Sequence, residues 1–408
     1  MNPEISRRAW IGTTAAGILA VPAISPWSQE LLPCALANDS KQSSKIAPLA
    51  PNNSLPIRIL FNENPMGCSP AAKDAVEHAL SRGNFYPLEQ AGQLVNKLRA
   101  KHGMPALPES KGLSLRPQTD ANEHALVLGG GSSELLLAAA LAYSVDGGNV
   151  VEPTLTYQTI GNTSKNRPGP AIERRQIPLL ANGSIDADTM LAACDSQTKI
   201  LVITNPNNPT GNAIGNSELI KLVTKAPSRT LVVVDEAYID FLNDPESRTV
   251  IPHALQRDNL MVTRTFSKIH GLAGLRCGYA IGHKSIFTRM QPFQVGSLSL
   301  NLCGLAAATV ALDDVAFQEA SRAMATESRQ RITAQLNTLG FRVAKSDAAC
   351  IWAEWDRETA PLVSRLADRG VLISTGLRWN VQNSIRISVA TPWQTTKLLE
   401  ELTDSVRA

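Results

Sequence analysis

The stretch Thr265-Phe-Ser-Lys268-Ile-His-Gly-Leu-Ala-Gly-Leu-Arg276-Cys-Gly278 sets one lysine in a small, apolar, glycine-rich run, with an arginine eight residues on. Burial and a neighbouring cation both lower a lysine's pKa. A lysine lowered in this way is a desolvated amine able to form Schiff bases with aldehydes. About thirty residues upstream stands Val232-Val-Val-Asp235-Glu-Ala-Tyr238, an apolar β-branched run that ends on a carboxylate. Upstream of that lies Asn205-Pro-Asn-Asn208-Pro-Thr-Gly211. Isolated, this last run is a plain turn, since Asn, Pro and Gly are all turn formers.

Outward from these runs the chain alternates strand-like and helix-like patterns. Residues 126–128, 149–152, 199–204, 231–234, 260–264 and 279–281 are short apolar strand candidates. Several are continuously apolar rather than alternating, as strands covered on both faces are. Helical stretches separate them, which is the signature of a wound α/β sheet. Residues 71–81 and 91–102 have the spacing of amphipathic helices, and the polar, proline-bearing residues 103–122 predict a surface loop. From about residue 301 the pattern changes. One long helix is expected over 301–339, then strands at 341–343, 350–354, 371–373 and 384–389 with helices between and after, as in a second, α+β domain.

In an open α/β sheet, ligands bind at the carboxyl edge of the strands. Asp235 falls at such an edge. The segment Gly129-Gly-Gly-Ser-Ser-Glu134 follows a strand and opens a helix, so its free N–H groups and the helix dipole make a seat for a phosphate, with Ser132 and Ser133 adding hydroxyls. The spacing is not the G-x-G-x-x-G of a nicotinamide site. A Schiff-base lysine, an acid for a pyridinium nitrogen and an asparagine for the same ring are the parts that pyridoxal phosphate chemistry needs.

The chain has 408 residues, 43% of them hydrophobic and 18% charged, with a net charge of +3. Length and composition fit one large or two medium globular domains with a sizeable core. The small charge and the lack of a basic run argue against a nucleic-acid surface. No span of about 18 apolar residues occurs, so no stable membrane helix is expected. Six cysteines are scattered without a C-x-x-C, which predicts neither a disulfide framework nor a zinc site but small buried side chains.

The first forty residues read differently. Ser6-Arg7-Arg8-Ala9-Trp10-Ile11 precedes an apolar stretch over 11–24 rich in Ala, Gly and Thr, and Ala35-Leu36-Ala37 supplies an A-x-A cleavage site. This is the pattern of a twin-arginine signal peptide. The expectation is a signal over 1–37, export of the folded protein to the periplasm by the twin-arginine machinery, and a Ser/Asn/Lys/Pro-rich linker over 38–56.

Seven pieces together carry a resemblance: Phe61-Asn-Glu-Asn-Pro-Met-Gly67, Tyr86-Pro87, the glycine run at 129–134, the asparagine run at 205–211, Asp235-Glu-Ala-Tyr238, the Lys268 segment, and Ile385-Arg386-Ile387. In this order, over about residues 60–390, the chain resembles the fold-type I pyridoxal phosphate enzymes of aminotransferase class I/II, and most closely the histidinol-phosphate aminotransferases. The resemblance implies a large domain with a mainly parallel seven-stranded sheet over 86–300, a smaller α+β domain over 301–408, and an N-terminal segment, 57–85, packed with the small domain. It implies a homodimer acting on an amino acid and a 2-oxo acid.

The resemblance also implies residue roles. Lys268 would bind the cofactor aldehyde and shuttle a proton, and Asp235 would face the pyridine nitrogen. Asn208 and Tyr238 would hydrogen-bond the phenolic oxygen. Gly131, Ser132, Ser133, Thr265, Ser267 and Arg276 would hold the phosphate. Arg386 would clamp the substrate carboxylate, and Asn64 would border the substrate.

Four positions depart from the family pattern. Met66 replaces a tyrosine. Leu155 stands where an aromatic commonly stacks on the ring, with Tyr157 two residues on as the other choice. Ser374 stands where histidinol-phosphate enzymes carry an arginine for the substrate phosphate, and Ala349 where relatives often have Asn. The last two remove polar contacts on the substrate side only. Transamination is the expected reaction. Decarboxylation, as in the related threonine-phosphate decarboxylases, and cofactor binding without catalysis are the alternatives.

Overall fold

A computed structural model describes residues 56–105, 107 and 123–407. It opens on a two-residue strand, β1 (Ile57–Arg58). The main sheet is built from β2 (His124–Gly129), β3 (Gly148–Pro153), β4 (Ile172–Ile177), β5 (Thr198–Thr204), β6 (Leu231–Asp235), β7 (Leu260–Thr265) and β8 (Gly278–His283). Their spatial order is β2-β8-β7-β6-β5-β3-β4. Neighbours from β7 across to β4 pair in parallel, whereas β8 runs antiparallel to both β7 and β2. This is the mainly parallel seven-stranded sheet of fold-type I.

The central strands are apolar along their whole length because both faces are covered. On β6, Val232 and Val234 enter a cluster with Leu201, Ile203 and Val262. Val233 enters the cluster on the other face, with Ile200, Val202 and Met261. Each such side chain contributes about 1.5–3 kcal/mol relative to exposure.

Six of these strands are legible as apolar runs; β4 is not. Its sequence, Ile172-Glu-Arg-Arg-Gln-Ile177, carries three charges in six residues. It is the sheet's edge, where charged side chains block further pairing. Arg174 reaches back to the buried Glu152 on β3, with Nε donating over 2.8 Å, and Arg175 pairs with Asp195 at 2.7 Å.

A second sheet follows, formed by β9 (Arg342–Val343), β10 (Cys350–Glu354), β12 (Ser374–Thr375) and β13 (Ser384–Ser388), antiparallel in the order β12-β13-β10-β9. The strand expected over 371–373 is split. Its first part, β11 (Val371–Leu372), pairs in parallel with β1, and the chain then passes Ile373 to join β13 as β12. Helices Val315–Thr338, Ala360–Asp368 and Pro392–Arg407 complete this C-terminal layer around Ile332, Leu336, Leu362, Leu398 and Ile385.

The single helix expected over 301–339 is two, Leu302–Ala311 and Val315–Thr338. Asp314 ends the run: its carboxylate accepts from Phe317 N at 3.1 Å and caps the second helix. An N-cap aspartate in a long apolar-periodic stretch is a start signal. The first helix packs into the main core through Leu305, Ala307, Ala308 and Ala311. The segment after residue 57 also divides. Ile57 and Ile59 join the C-terminal core, and Ala72 of helix Pro70–Leu80 joins the main one.

The expected signal peptide, nearly all of the expected linker, and most of the loop expected over 103–122 lie outside the described residues. Among the described residues no helix is long and apolar enough to cross a membrane. The five described cysteines are free, and Cys277 and Cys350 are buried.

Candidate active site

The carboxyl edge of the main sheet brings three side-chain positions level. Thr204 on β5, Asp235 on β6 and Thr263 on β7 are partners in register. Asp235 is 3% exposed, and its Oδ1 accepts from Thr263 Oγ1 at 3.0 Å. Burial pushes its carboxyl up to about 6, against the pull of the Thr263 hydroxyl, the Ala237 N–H and the Lys268 charge. A buried carboxyl in this state is short of a cationic partner. A protonated ring nitrogen placed there would supply one, so the donor set fits a pyridinium.

The next residue faces the other way. Glu236 takes Thr249 Oγ1 at 2.7 Å, Val250 N at 2.8 Å and Arg264 Nε at 2.9 Å. The buried Glu236–Arg264 pair links β6 to β7 behind the site. One peptide step therefore separates a carboxylate offered to a ligand from one used for the fold.

Lys268 lies in the loop between β7 and β8. Thr265 and Gly278 pair directly, and Phe266 N donates to Cys277 O at 3.0 Å, so the loop is closed at its base. Lys268 Nζ donates to the carbonyls of Phe61 and Asn62, both at 3.1 Å, and sits 5.5 Å from the centre of the Tyr238 ring. Burial first, then the charge of Arg386, brings its pKa down to about 8. Gly271 has φ +69, and a Cβ there would stand 1.8 Å from Gly67 O, so only glycine lets the two loops meet.

Two residues that the sequence reading did not select complete this corner. Asn62, at φ +55, donates through Nδ2 to Tyr238 Oη at 3.0 Å and accepts through Oδ1 from Ser388 Oγ at 2.9 Å. Its own N–H donates to Ser388 Oγ at 2.8 Å. The signal for Asn62 lies in the Phe61 run, two residues before Asn64. Asn64 ties loops together: Nδ2 donates to Ile269 O at 2.8 Å and Ser321 Oγ at 2.9 Å, and Oδ1 accepts from Met66 N at 3.0 Å.

The glycine run ends β2 and opens helix Ser132–Ser144. Gly131 has φ +84, and a Cβ there would stand 2.4 Å from Arg276 Nη2. A Cβ on Gly278 would stand 2.4 Å from Ser132 N. The two glycines thus let Arg276 and β8 approach the helix N-terminus closely. Arg276, itself left-handed at φ +51, donates to Gly130 O at 3.0 Å and to Ala273 O at 2.9 Å. Thr265 Oγ1 donates to Ser267 Oγ at 2.9 Å beside it. Tyr157 Oη lies 3.4 Å from Ser133 Oγ. The backbone carbonyl of Leu155 accepts from Asn207 Nδ2 at 2.8 Å. A helix N-terminus, hydroxyls and a guanidinium gathered at a glycine turn fit a phosphate.

Arg386 closes the opposite side. It stands on β13 between Trp352 and Ser374 of the flanking strands. Nη1 donates to Asn208 Oδ1 at 2.9 Å and Nη2 donates to Leu60 O. Nε is buried with no hydrogen-bond partner among the described residues. Cys350 lies close by, its thiol pushed up to about 11 by burial, with Sγ donating to Pro209 O at 3.4 Å.

The family model for aminotransferase class I and II matches residues 60–405. The histidinol-phosphate aminotransferase of Bacillus subtilis (strain 168) is 31% identical over 348 residues, covering 85% of this chain and 91% of its own. The crystal structure of histidinol-phosphate aminotransferase from Sinorhizobium meliloti in complex with pyridoxal-5'-phosphate superposes with a TM-score of 0.75 at 23% identity, covering 86% of this chain and 91% of that one. L-threonine-O-3-phosphate decarboxylase from Porphyromonas gingivalis gives a TM-score of 0.69 at 18% identity, covering 86% of this chain and 100% of that one. The last two are likenesses of fold.

Proposed function

The chain belongs to the aminotransferase class I and II family, and we propose that it moves an amino group between an amino acid and a 2-oxo acid with Lys268 as the working amine. The cofactor is pyridoxal phosphate. When bound it supplies an aldehyde that condenses with amines and a ring that takes up an electron pair. Asp235 would hold the ring nitrogen, and Asn208 and Tyr238 the phenolic oxygen. Gly131, Ser132, Ser133, Thr265, Ser267 and Arg276 would hold the phosphate, with Tyr157 along the wall.

The observation that carries the reading is the part-buried Lys268 amine, which burial brings down to about 8; it lies 5.5 Å from the centre of the Tyr238 ring and within reach of the charges of Arg386 and Asp235. An amine with that pKa is present in part as free base near neutral pH. It can accept the proton on the substrate's α-carbon and return it elsewhere, as general acid–base catalysis requires. Arg386 offers a guanidinium fork and an unpartnered Nε to the substrate carboxylate.

The test is a spectral titration of the loaded protein with a panel of amino donors that includes histidinol phosphate. Conversion of the cofactor to its amine form supports transamination. Release of carbon dioxide from a labelled carboxyl without that conversion would replace transamination with decarboxylation. The donor itself is proposed to be an amino acid, with histidinol phosphate as a candidate tested in the same panel. The relatives' names support histidinol phosphate, whereas Ser374 and Ala349 thin the polar contacts on the substrate side.

Assembly and location extend the same reading. A homodimer is supported by large apolar side chains left exposed in two segments, Phe61, Phe85 and Tyr86 in one and Phe293, Val295 and Leu298 in the other. Sedimentation at two concentrations tests it. Export to the periplasm by the twin-arginine machinery is supported by Ser6-Arg7-Arg8 and the A-x-A site at 35–37. A fractionation that finds only full-length cytoplasmic protein would overturn it.

A further inference from the structure

Trp379 belongs to none of the runs that point to the cofactor, yet it touches both ends of the site. It closes a single turn, Leu377–Trp379, that stands between β12 and β13. The turn is pinned by Trp379 N donating to Gly376 O at 2.9 Å and Asn380 N donating to Leu377 O at 2.8 Å. Asn380 is left-handed at φ +61 and turns the chain toward β13. The indole is 4% exposed.

The ring makes four directed contacts, one of them with Arg378, whose Cζ lies 5.4 Å from the ring centre. Its Nε1–H donates to Thr156 O at 2.9 Å. Its face lies 5.3 Å from Arg386 Cζ, within the range of a cation–π interaction. Its edge meets Trp352 at 5.5 Å between ring centres and 87° between planes. Thr156 is itself held, donating through Oγ1 to Thr204 Oγ1 at 3.1 Å. Thr204 is the register partner of Asp235, and Tyr157, the residue after Thr156, lies beside Ser133.

Arg386 gains from such a support. Its two terminal nitrogens are aimed by single acceptors, Asn208 Oδ1 and Leu60 O. Its Nε has no partner, and no carboxylate is paired with the guanidinium among the described residues. Two hydrogen bonds aim the guanidinium, and an aromatic face beside it adds a further restraint. The indole supplies that face while its own N–H is fixed to the main-sheet side of the site.

We propose that Trp379 is a positioning residue. It holds the Arg386 guanidinium in the pose that receives the substrate carboxylate, and it ties that pose to the loop carrying Tyr157. The inference rests on the carboxylate-binding reading of Arg386.

The experiment compares Trp379→Leu, Trp379→Phe and Arg386→Gln in the loaded full chain. KM and kcat are measured for the best amino donor of the panel, alongside calorimetric titration with a carboxylate analogue of that donor lacking the amine. Trp379→Leu is expected to raise KM and the analogue's dissociation constant together by about tenfold, with kcat within about threefold of the parent. Trp379→Phe keeps a ring face and is expected to recover most of that loss. Unchanged KM in Trp379→Leu, or equal losses in Leu and Phe that fall on kcat and stability alike, would overturn the proposal in favour of plain packing. If Trp379→Leu does not fold, Trp379→Met against Trp379→Phe makes the same comparison. Arg386→Gln separates the two readings. If it leaves analogue binding intact, the carboxylate assignment of Arg386 is wrong. If it abolishes binding while the Trp379 variants do not affect it, only the positioning role is wrong.

Discussion

Asp235 Oδ1 and Thr263 Oγ1 meet at 3.0 Å because β6 and β7 bring the two residues opposite each other at the carboxyl edge of the sheet. This hydroxyl gives the larger of the two hydrogen bonds, with that of the Ala237 N–H, that oppose the effect of burial on the aspartate. Asp235→Asn is therefore expected to lower kcat/KM by about 100-fold or more, since the ring nitrogen loses its only charged partner among the named contacts. Thr263→Val is expected to cost about 1 kcal/mol of stability by urea unfolding. Steady-state kinetics at fixed cofactor saturation checks the first, and paired melts check the second.

Lys268 and Asp235 both work against the fold in cofactor-free protein. The folded lysine sits at about 8, below its ordinary 10.5, so the unfolded chain binds the extra proton between those values and stability rises with pH across that window. The folded aspartate sits at about 6, above its ordinary 3.8, so the folded chain binds the extra proton there and stability falls as pH rises from about 3.8 to 6. Lys268→Met is expected to stabilise stripped protein at neutral pH by about 1 kcal/mol or more while abolishing transamination. Unfolding curves at pH 7 and pH 10 check it: the variant's advantage should shrink at the higher pH.

Gly131→Ala is expected to damage cofactor affinity before it damages the fold. The added methyl would stand 2.4 Å from Arg276 Nη2 at a residue with φ +84, among the residues proposed to hold the phosphate. Left-handed strain of this kind costs about 1 kcal/mol or more. A tenfold or larger rise in the pyridoxal phosphate dissociation constant, read by fluorescence titration, is the expected outcome.

Glu236→Gln removes the nearer partner of a buried ion pair and leaves Arg264 charged with only Asp240, at 3.9 Å, to offset it. Losses of about 3–5 kcal/mol follow from such changes. A large fall in Tm is expected, with Arg264→Met added to Glu236→Gln restoring part of it.

Residues that carry a distinctive chemistry were legible in the sequence. A lysine in an apolar glycine run, an aspartate ending a valine strand and a glycine-serine turn before a helix each advertise a local role, and the fold brings Lys268, Asp235, Asn208, Tyr238 and Arg386 together. Residues whose role depends on distant partners were not legible. Asn62 meets Ser388 across 326 positions, and the Thr156 carbonyl that holds Trp379 lies 223 positions away. The strand β4 was missed for a different reason. Periodicity reports burial, and an edge strand with two arginines answers to its neighbours' carboxylates instead.

The loop that bears Lys268 hangs from two strands that pair with each other inside the main sheet, with Phe266 N bonded to Cys277 O at its base. Nothing in it can be released by fraying from a chain end. Opening it means separating β7 from β8, which lie among the inner strands of a seven-stranded sheet. The base amides should accordingly exchange with solvent deuterium only through near-global opening, placing the reactive amine in one of the slowest-exchanging regions of the molecule.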